Sequence, residues 1–188
     1  MDGAPGRGTR GLSSSSRAVG PRCSRFKVGA REGSHDGVDH RSHRETIAKL
    51  TADASDVSGK ARHLTFGSGG KPVVLYAFAP TCGWCAKNLS NIKEIYRLKH
   101  PEFEFIGVSL SPNGVPEYIS RSGFPLDVMK DPSAASREKF HLNGTPETIV
   151  VDNSGIVKQV WLGAYTSDTC RKVEQFFQMP KGSLKAAS

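Results

Sequence analysis

The sequence predicts an α/β fold, a mixed central sheet with helices on both faces. Three observations carry that prediction. Val73-Val74-Leu75-Tyr76-Ala77-Phe78-Ala79 is a nearly continuous apolar run, which suits a strand covered on both sides. Cys85, Leu89, Ile92 and Tyr96 recur at helical spacing, marking one face of a helix that Pro101 stops. Late in the chain, residues 147–151 and 156–161 flank the turn Asp152-Asn153-Ser154-Gly155, a hairpin signal.

The chain begins with a segment of a different texture. Among its 188 residues, Lys plus Arg (26) exceed Asp plus Glu (18), giving a net charge of +8. Residues 1–45 hold only ten of the hydrophobic class, against 37% for the whole chain. They are rich in Gly, Arg and Ser and bury too little apolar surface to offset chain entropy, so they read as a disordered basic tail. Without interleaved aromatics or a dense charge block, this tail is expected to be solvated, with no specific nucleic-acid contact. His35, His40 and His43 lack a cysteine partner and make a weak metal signal. No run of about 18 apolar residues exists, which excludes a membrane-spanning helix. Nor do residues 1–38 contain the continuous core of roughly 7–15 apolar residues that a secretory signal needs.

Residues 46–60 are expected to be a polar lead-in, with Ile47, Leu50 and Val57 as sparse apolar marks. His63-Leu64-Thr65-Phe66 is a short strand, and Gly67-Ser68-Gly69-Gly70 a turn into the apolar run. After the long helix, residues 103–110 form the next buried strand. A short helix over 116–122 has proline in its first turn and Gly123 at its end. Residues 126–129 form a strand, and Asp131 can cap a helix over 132–140. Asn143-Gly144 turns the chain toward the hairpin. A last helix starts near Ser167 and packs Cys170, Val173 and Phe177. The folded domain is expected at 61–179, followed by a tail at 180–188.

Cys82-Gly83-Trp84-Cys85 lies between the buried strand and the start of the helix. There the first sulfur meets unpaired backbone N–H groups and the positive end of the helix dipole, which favour thiolate over thiol. Cys82 is then the exposed nucleophile, and Cys85, one turn inward on the apolar face, the resolving thiol. A zinc site would need two further ligands, but Cys23 and Cys170 stand alone. Attachment of c-type haem would need histidine where Ala86 stands. No metal and no cofactor is expected. Trp84 is expected to be an exposed contact for substrate, and Thr145 with Pro146 a second element beside the dithiol. Proline there belongs at the start or edge of a strand. If the bond is cis, the Thr145 backbone is left to pair with a substrate strand, whereas the ordinary state of an X-Pro bond is trans.

These residues resemble the thioredoxin superfamily, and within it the TlpA/ResA-like thiol:disulfide oxidoreductases. The likeness runs over about residues 60–178. It is carried by 72–85, by Phe124 to Pro132, and by Gly144-Thr145-Pro146-Glu147-Thr148-Ile149-Val150-Val151-Asp152. The resemblance implies a thioredoxin-like fold, a cis Pro146 facing the dithiol, and an extra strand and helix over 126–140. Two positions depart from it. Thioredoxins carry an aspartate where this chain has Tyr76, and the TlpA/ResA branch often a glutamate where it has Asn88. Glu147 is a substitute candidate for relaying the buried thiol's proton; the alternative is a solvent-facing strand acid.

The implied activity is disulfide exchange with protein partners, acting as a reductase, with disulfide-bearing or dithiol proteins as substrates and an upstream redox partner. A monomer is expected. The branch usually sits outside the bacterial cytoplasmic membrane; a chain starting where this one is written would be cytoplasmic. The alternatives are a partner-binding module without turnover and a peroxiredoxin-like peroxidase. The peroxidase motif places proline and threonine several residues before its cysteine, whereas Pro80 and Thr81 directly abut Cys82.

Overall fold

A computed structural model of the chain describes residues 51–66 and 70–188. The expectations for residues 1–45 and for the turn at 67–69 lie outside the described residues. Among the described residues, the strands are β1 Thr51–Asp56, β2 Ala61–Thr65, β3 Val73–Phe78, β4 Glu104–Ser109, β5 Asp127–Lys130, β6 Glu147–Val151 and β7 Val157–Leu162. The helices are α1 Gly83–Lys99, α2 Val115–Ser122, α3 Ala134–Lys139 and α4 Ser167–Phe176.

All seven strands join one sheet in the order β2-β1-β5-β4-β3-β6-β7. The centre is parallel, β3 beside β4 and β4 beside β5. Both flanks are antiparallel, with β6 and β7 on one side and β1 and β2 on the other.

Strand alternation divides the core in two. Every residue of β3 is buried. Val74, Tyr76 and Phe78 face a cluster with Cys85, Ile92 and Ile95 of α1, Tyr118 of α2 and Val173 of α4. Val73, Leu75 and Ala77 face the opposite cluster, which holds Phe66, Phe140 and Leu142 around α3. Helices therefore cover both faces, as the sequence predicts.

Three local features differ from the sequence reading. The polar lead-in contains β1, which pairs with β2 from Thr51↔Thr65 to Ser55↔Ala61 and with β5 at Ser55↔Lys130. These pairings are made by backbone groups, which any side chain allows. Second, α3 is capped by Ser133, whose hydroxyl accepts the Ser136 N–H at 3.1 Å, not by Asp131, which sits at φ 53°. Third, residues 180–188, read as a tail, lie against the domain: Leu184 is buried in the core, and the Lys185 and Ala187 backbones are hydrogen-bonded to it.

Candidate active site at the head of the first helix

The site begins where β3 ends. Cys82 is the N-cap of α1, in extended conformation (φ −77°, ψ 109°), and its Sγ accepts the Cys85 N–H at 3.1 Å. A sulfur thus takes the capping role usually filled by a side-chain oxygen. No acidic residue occupies the first turn of α1. The helix end therefore presents its positive potential to Cys82 uncompensated from within that turn, and this favours sulfur as an anion once the bond is reduced.

Cys82 and Cys85 are disulfide-bonded, with Cα atoms 5.2 Å apart. Their environments differ: Cys85 is fully buried at 0% exposure, whereas Cys82 is half-buried. An incoming group reaches Cys82, not Cys85. The Thr145 carbonyl oxygen lies 3.6 Å from Cys82 Sγ, and the Thr145–Pro146 peptide bond is cis. Trp84 is 56% exposed, with Lys87 Nζ 4.6 Å above its ring. Beside the disulfide, Trp84, Thr145 and Pro146 line a groove of about 300 Å³ with the loop residues Gly163 and Ala164. Trp84, Thr145 and Pro146 thereby share one concave surface, and Cys82 Sγ adjoins it through the Thr145 carbonyl.

Glu147 is not solvent-facing. It is 1% exposed, and neither carboxylate oxygen has a hydrogen-bond partner. Burial pushes its carboxyl up from 4.5 to about 7. It pairs directly with Ala77, whose side chain belongs to the cluster around α3. Paired residues point to the same side of a sheet, so Glu147 faces away from Tyr76 and Cys85.

On the Cys85 side, the two positions where the resemblance places acids are uncharged. Tyr76 is fully buried, and desolvation holds its phenol well above the ordinary tyrosine range. Asn88 is equally buried; its Oδ1 accepts from Tyr165 N at 3.2 Å and from Asn91 Nδ2 at 3.0 Å. The Asn88 amide is near enough to Tyr76 to oppose that rise, yet neither Tyr76 Oη nor Asn88 Nδ2 has a well-formed hydrogen bond. Sequence reasoning missed Asn91 and the Gly163-Ala164 loop. Asparagine has no preferred place on a buried helix face, and the loop carries no motif beyond a glycine.

Cys170 is a buried free thiol whose pKa is raised by desolvation, the state of an inert packed cysteine. Among the described residues, no group of three or more His, Cys, Asp or Glu side chains is placed to hold a metal ion. No described helix is long and apolar enough to cross a membrane.

A disulfide that caps a helix beside the Thr145–Pro146 turn, on a mixed sheet wrapped by helices, defines a thioredoxin-like disulfide oxidoreductase. Sequence comparison supplies the family. The profile of the AhpC/TSA family matches residues 46–160, and the chain belongs to that family. A thioredoxin-like protein of Haemophilus influenzae is 28% identical over 136 residues, covering 71% of this chain and 77% of that protein. The thioredoxin domain of a thiol-disulfide oxidoreductase from Bacteroides vulgatus superposes with a TM-score of 0.56 at 21% identity, covering 72% of this chain and 97% of the other. StoA from Bacillus subtilis superposes with a TM-score of 0.53 at 13% identity, covering 68% and 98%. These superpositions show the thioredoxin-like fold.

Proposed function

We propose that the chain reduces disulfides in protein partners, with Cys82 as nucleophile and Cys85 as resolving thiol. The observation that carries this reading is the inequality of the two bonded sulfurs: one caps the helix at the surface and the other is fully buried. In the reduced chain, the Cys82 thiolate attacks one sulfur of the partner's disulfide, forming a mixed disulfide and releasing the other as a thiolate that takes up a proton. Cys85 then loses its proton and attacks Cys82 Sγ. That step releases the second partner thiol and leaves the Cys82–Cys85 disulfide. The partner gains two electrons, and an upstream dithiol must return them to the chain.

Thr145, Pro146 and Trp84 support the placement of an extended partner segment along the groove beside Cys82. Glu147, next to Pro146 and titrating near neutrality, is the proposed proton store for this cycle.

Insulin reduction with Cys82→Ser tests the assignment. The variant is expected to lose activity by at least about a thousandfold, as for removal of a covalent nucleophile. Retained turnover overturns it, as does consumption of hydrogen peroxide at a rate exceeding that of disulfide exchange. The reduction potential fixes direction: a value near about −270 mV fits a reductase, and one near about −120 mV an oxidant.

A further inference from the structure

The C-terminal segment is fastened to the domain at three separate places. Leu184 N–H donates to Glu174 Oε1 at 2.8 Å. Lys185 exchanges two bonds with one side chain, its N–H donating to Asn91 Oδ1 at 2.9 Å and its carbonyl accepting from Asn91 Nδ2 at 2.8 Å. Ala187 N–H donates to the Tyr165 carbonyl at 2.8 Å. Both anchoring side chains, Asn91 and Glu174, are buried, as is Leu184. This segment is tied, and at its last fastening Ala187 joins the lining of the groove formed by Trp84, Thr145, Pro146 and the Gly163-Ala164 loop.

Two relationships make this placement consequential. Asn91 belongs to α1, the helix that Cys82 caps, so the segment and the dithiol rest on one rigid support. Tyr165 follows the Gly163-Ala164 loop directly, so the Ala187 bond holds the segment beside the loop that lines the groove. We propose that Ala187, held in place by the fastenings at Leu184, Lys185 and its own N–H, is the specificity wall of the groove beside the dithiol and sets the width available to a partner's backbone and flanking side chains. The inference rests on the redox reading above and adds to it the residue that discriminates among disulfides. Proteins presenting a disulfide on an extended segment must pass Ala187, whereas a small disulfide reaches Cys82 without crossing the wall.

The test compares kcat/KM for insulin with that for 2-hydroxyethyl disulfide, in full-length variants. Ala187→Trp narrows the groove and is expected to lower the insulin-to-small-disulfide ratio about tenfold, chiefly through KM for insulin. Ala187→Pro removes the N–H that Tyr165 accepts and frees the segment's end, so the ratio is expected to rise about threefold. Ratios that stay within about twofold of wild type, or that move in the same direction in both variants, overturn the wall while leaving the redox reading intact. A wild-type chain that reduces neither probe overturns the redox reading and this inference with it.

Discussion

Glu147 and Cys85 stand on opposite faces of the same sheet. Glu147 lies directly across from Ala77 on the α3 side, and Cys85 is packed with Tyr76 on the α1 side. A proton cannot pass between them through β3, whose residues are all buried. The proton exchange proposed above for Glu147 would therefore have to run around the strand end, where Thr145 passes beside Cys82. Tyr76 and Asn88 offer Cys85 no charge of their own.

The desolvated Glu147 predicts a pH dependence of stability. Its folded pKa of about 7 lies above the ordinary 4.5, so between these values the folded chain keeps a proton that the unfolded chain releases. The contribution to stability is therefore fully present below 4.5 and is lost as pH rises to about 7. The loss is on the order of 3 kcal/mol over that window. Glu147→Gln removes this titration. Its melting temperature should exceed that of wild type by several degrees above neutrality, with the difference shrinking steadily toward pH 4. An offset that is the same at every pH would mean that Glu147 does not titrate in this window. If the carboxyl also serves the dithiol, the variant loses the rate inflection near pH 7.

Cys85→Ser should separate attack from resolution. Cys82 remains at the helix cap and can still form a mixed disulfide, but no second sulfur follows to expel the partner. A covalent adduct with a disulfide substrate should accumulate to near one equivalent, visible as the summed mass under non-reducing conditions and absent in Cys82→Ser. An adduct formed equally by the Cys82→Ser chain would assign nucleophilic attack to Cys85.

Much of this architecture is legible from residue pattern because its signals are local. The β3 run, the Cys82-Gly83-Trp84-Cys85 spacing and the turn at Asp152-Asn153-Ser154-Gly155 each report on neighbours a few residues away. What escapes reading is non-local. Thr51-Ala52-Ala54 and their polar neighbours form β1 because β2 and β5 supply backbone partners, not because the stretch looks like a strand. Asp131 reads as a cap, yet the chain enters α3 two residues later, through Ser133. The segment after residue 180 is held by Asn91, Glu174 and Tyr165, and nothing near Lys185 in sequence announces them. Glu147 shows the same limit: its neighbours mark a strand, but only the assembled sheet shows that it is buried.

At Gly107 in β4 there is no room for a side chain. A Cβ there would stand 2.7 Å from Phe124 Cε1 and 3.2 Å from Val128 Cγ2. Phe124 cannot easily retreat, because its ring also packs on Phe78 (4.7 Å between centroids) and Tyr118 (5.8 Å). Gly107→Ala should cost about 1–3 kcal/mol through overpacking, despite alanine's lower unfolded-state entropy. Urea denaturation checks this, and a variant as stable as wild type would show that the aromatic cluster has room to shift.

Asn91→Ala should release the C-terminal segment while leaving the dithiol in place. The substitution deletes both bonds to Lys185 and the one to Asn88. Asn88 Oδ1 keeps the Tyr165 N–H and the exposed Lys185 backbone can turn to water, so the expected loss is that of the deleted bonds, about 1–3 kcal/mol in total. Hydrogen exchange locates the effect. The amides of Leu184, Lys185 and Ala187 should exchange faster by about tenfold or more than the loss of global stability alone explains, because the segment now opens locally. The Cys85 amide, held to Cys82 Sγ at the far end of α1's first turn, should follow global stability only. Uniform acceleration across all four amides would mean that Asn91 supports the whole domain and that the segment has no separate latch.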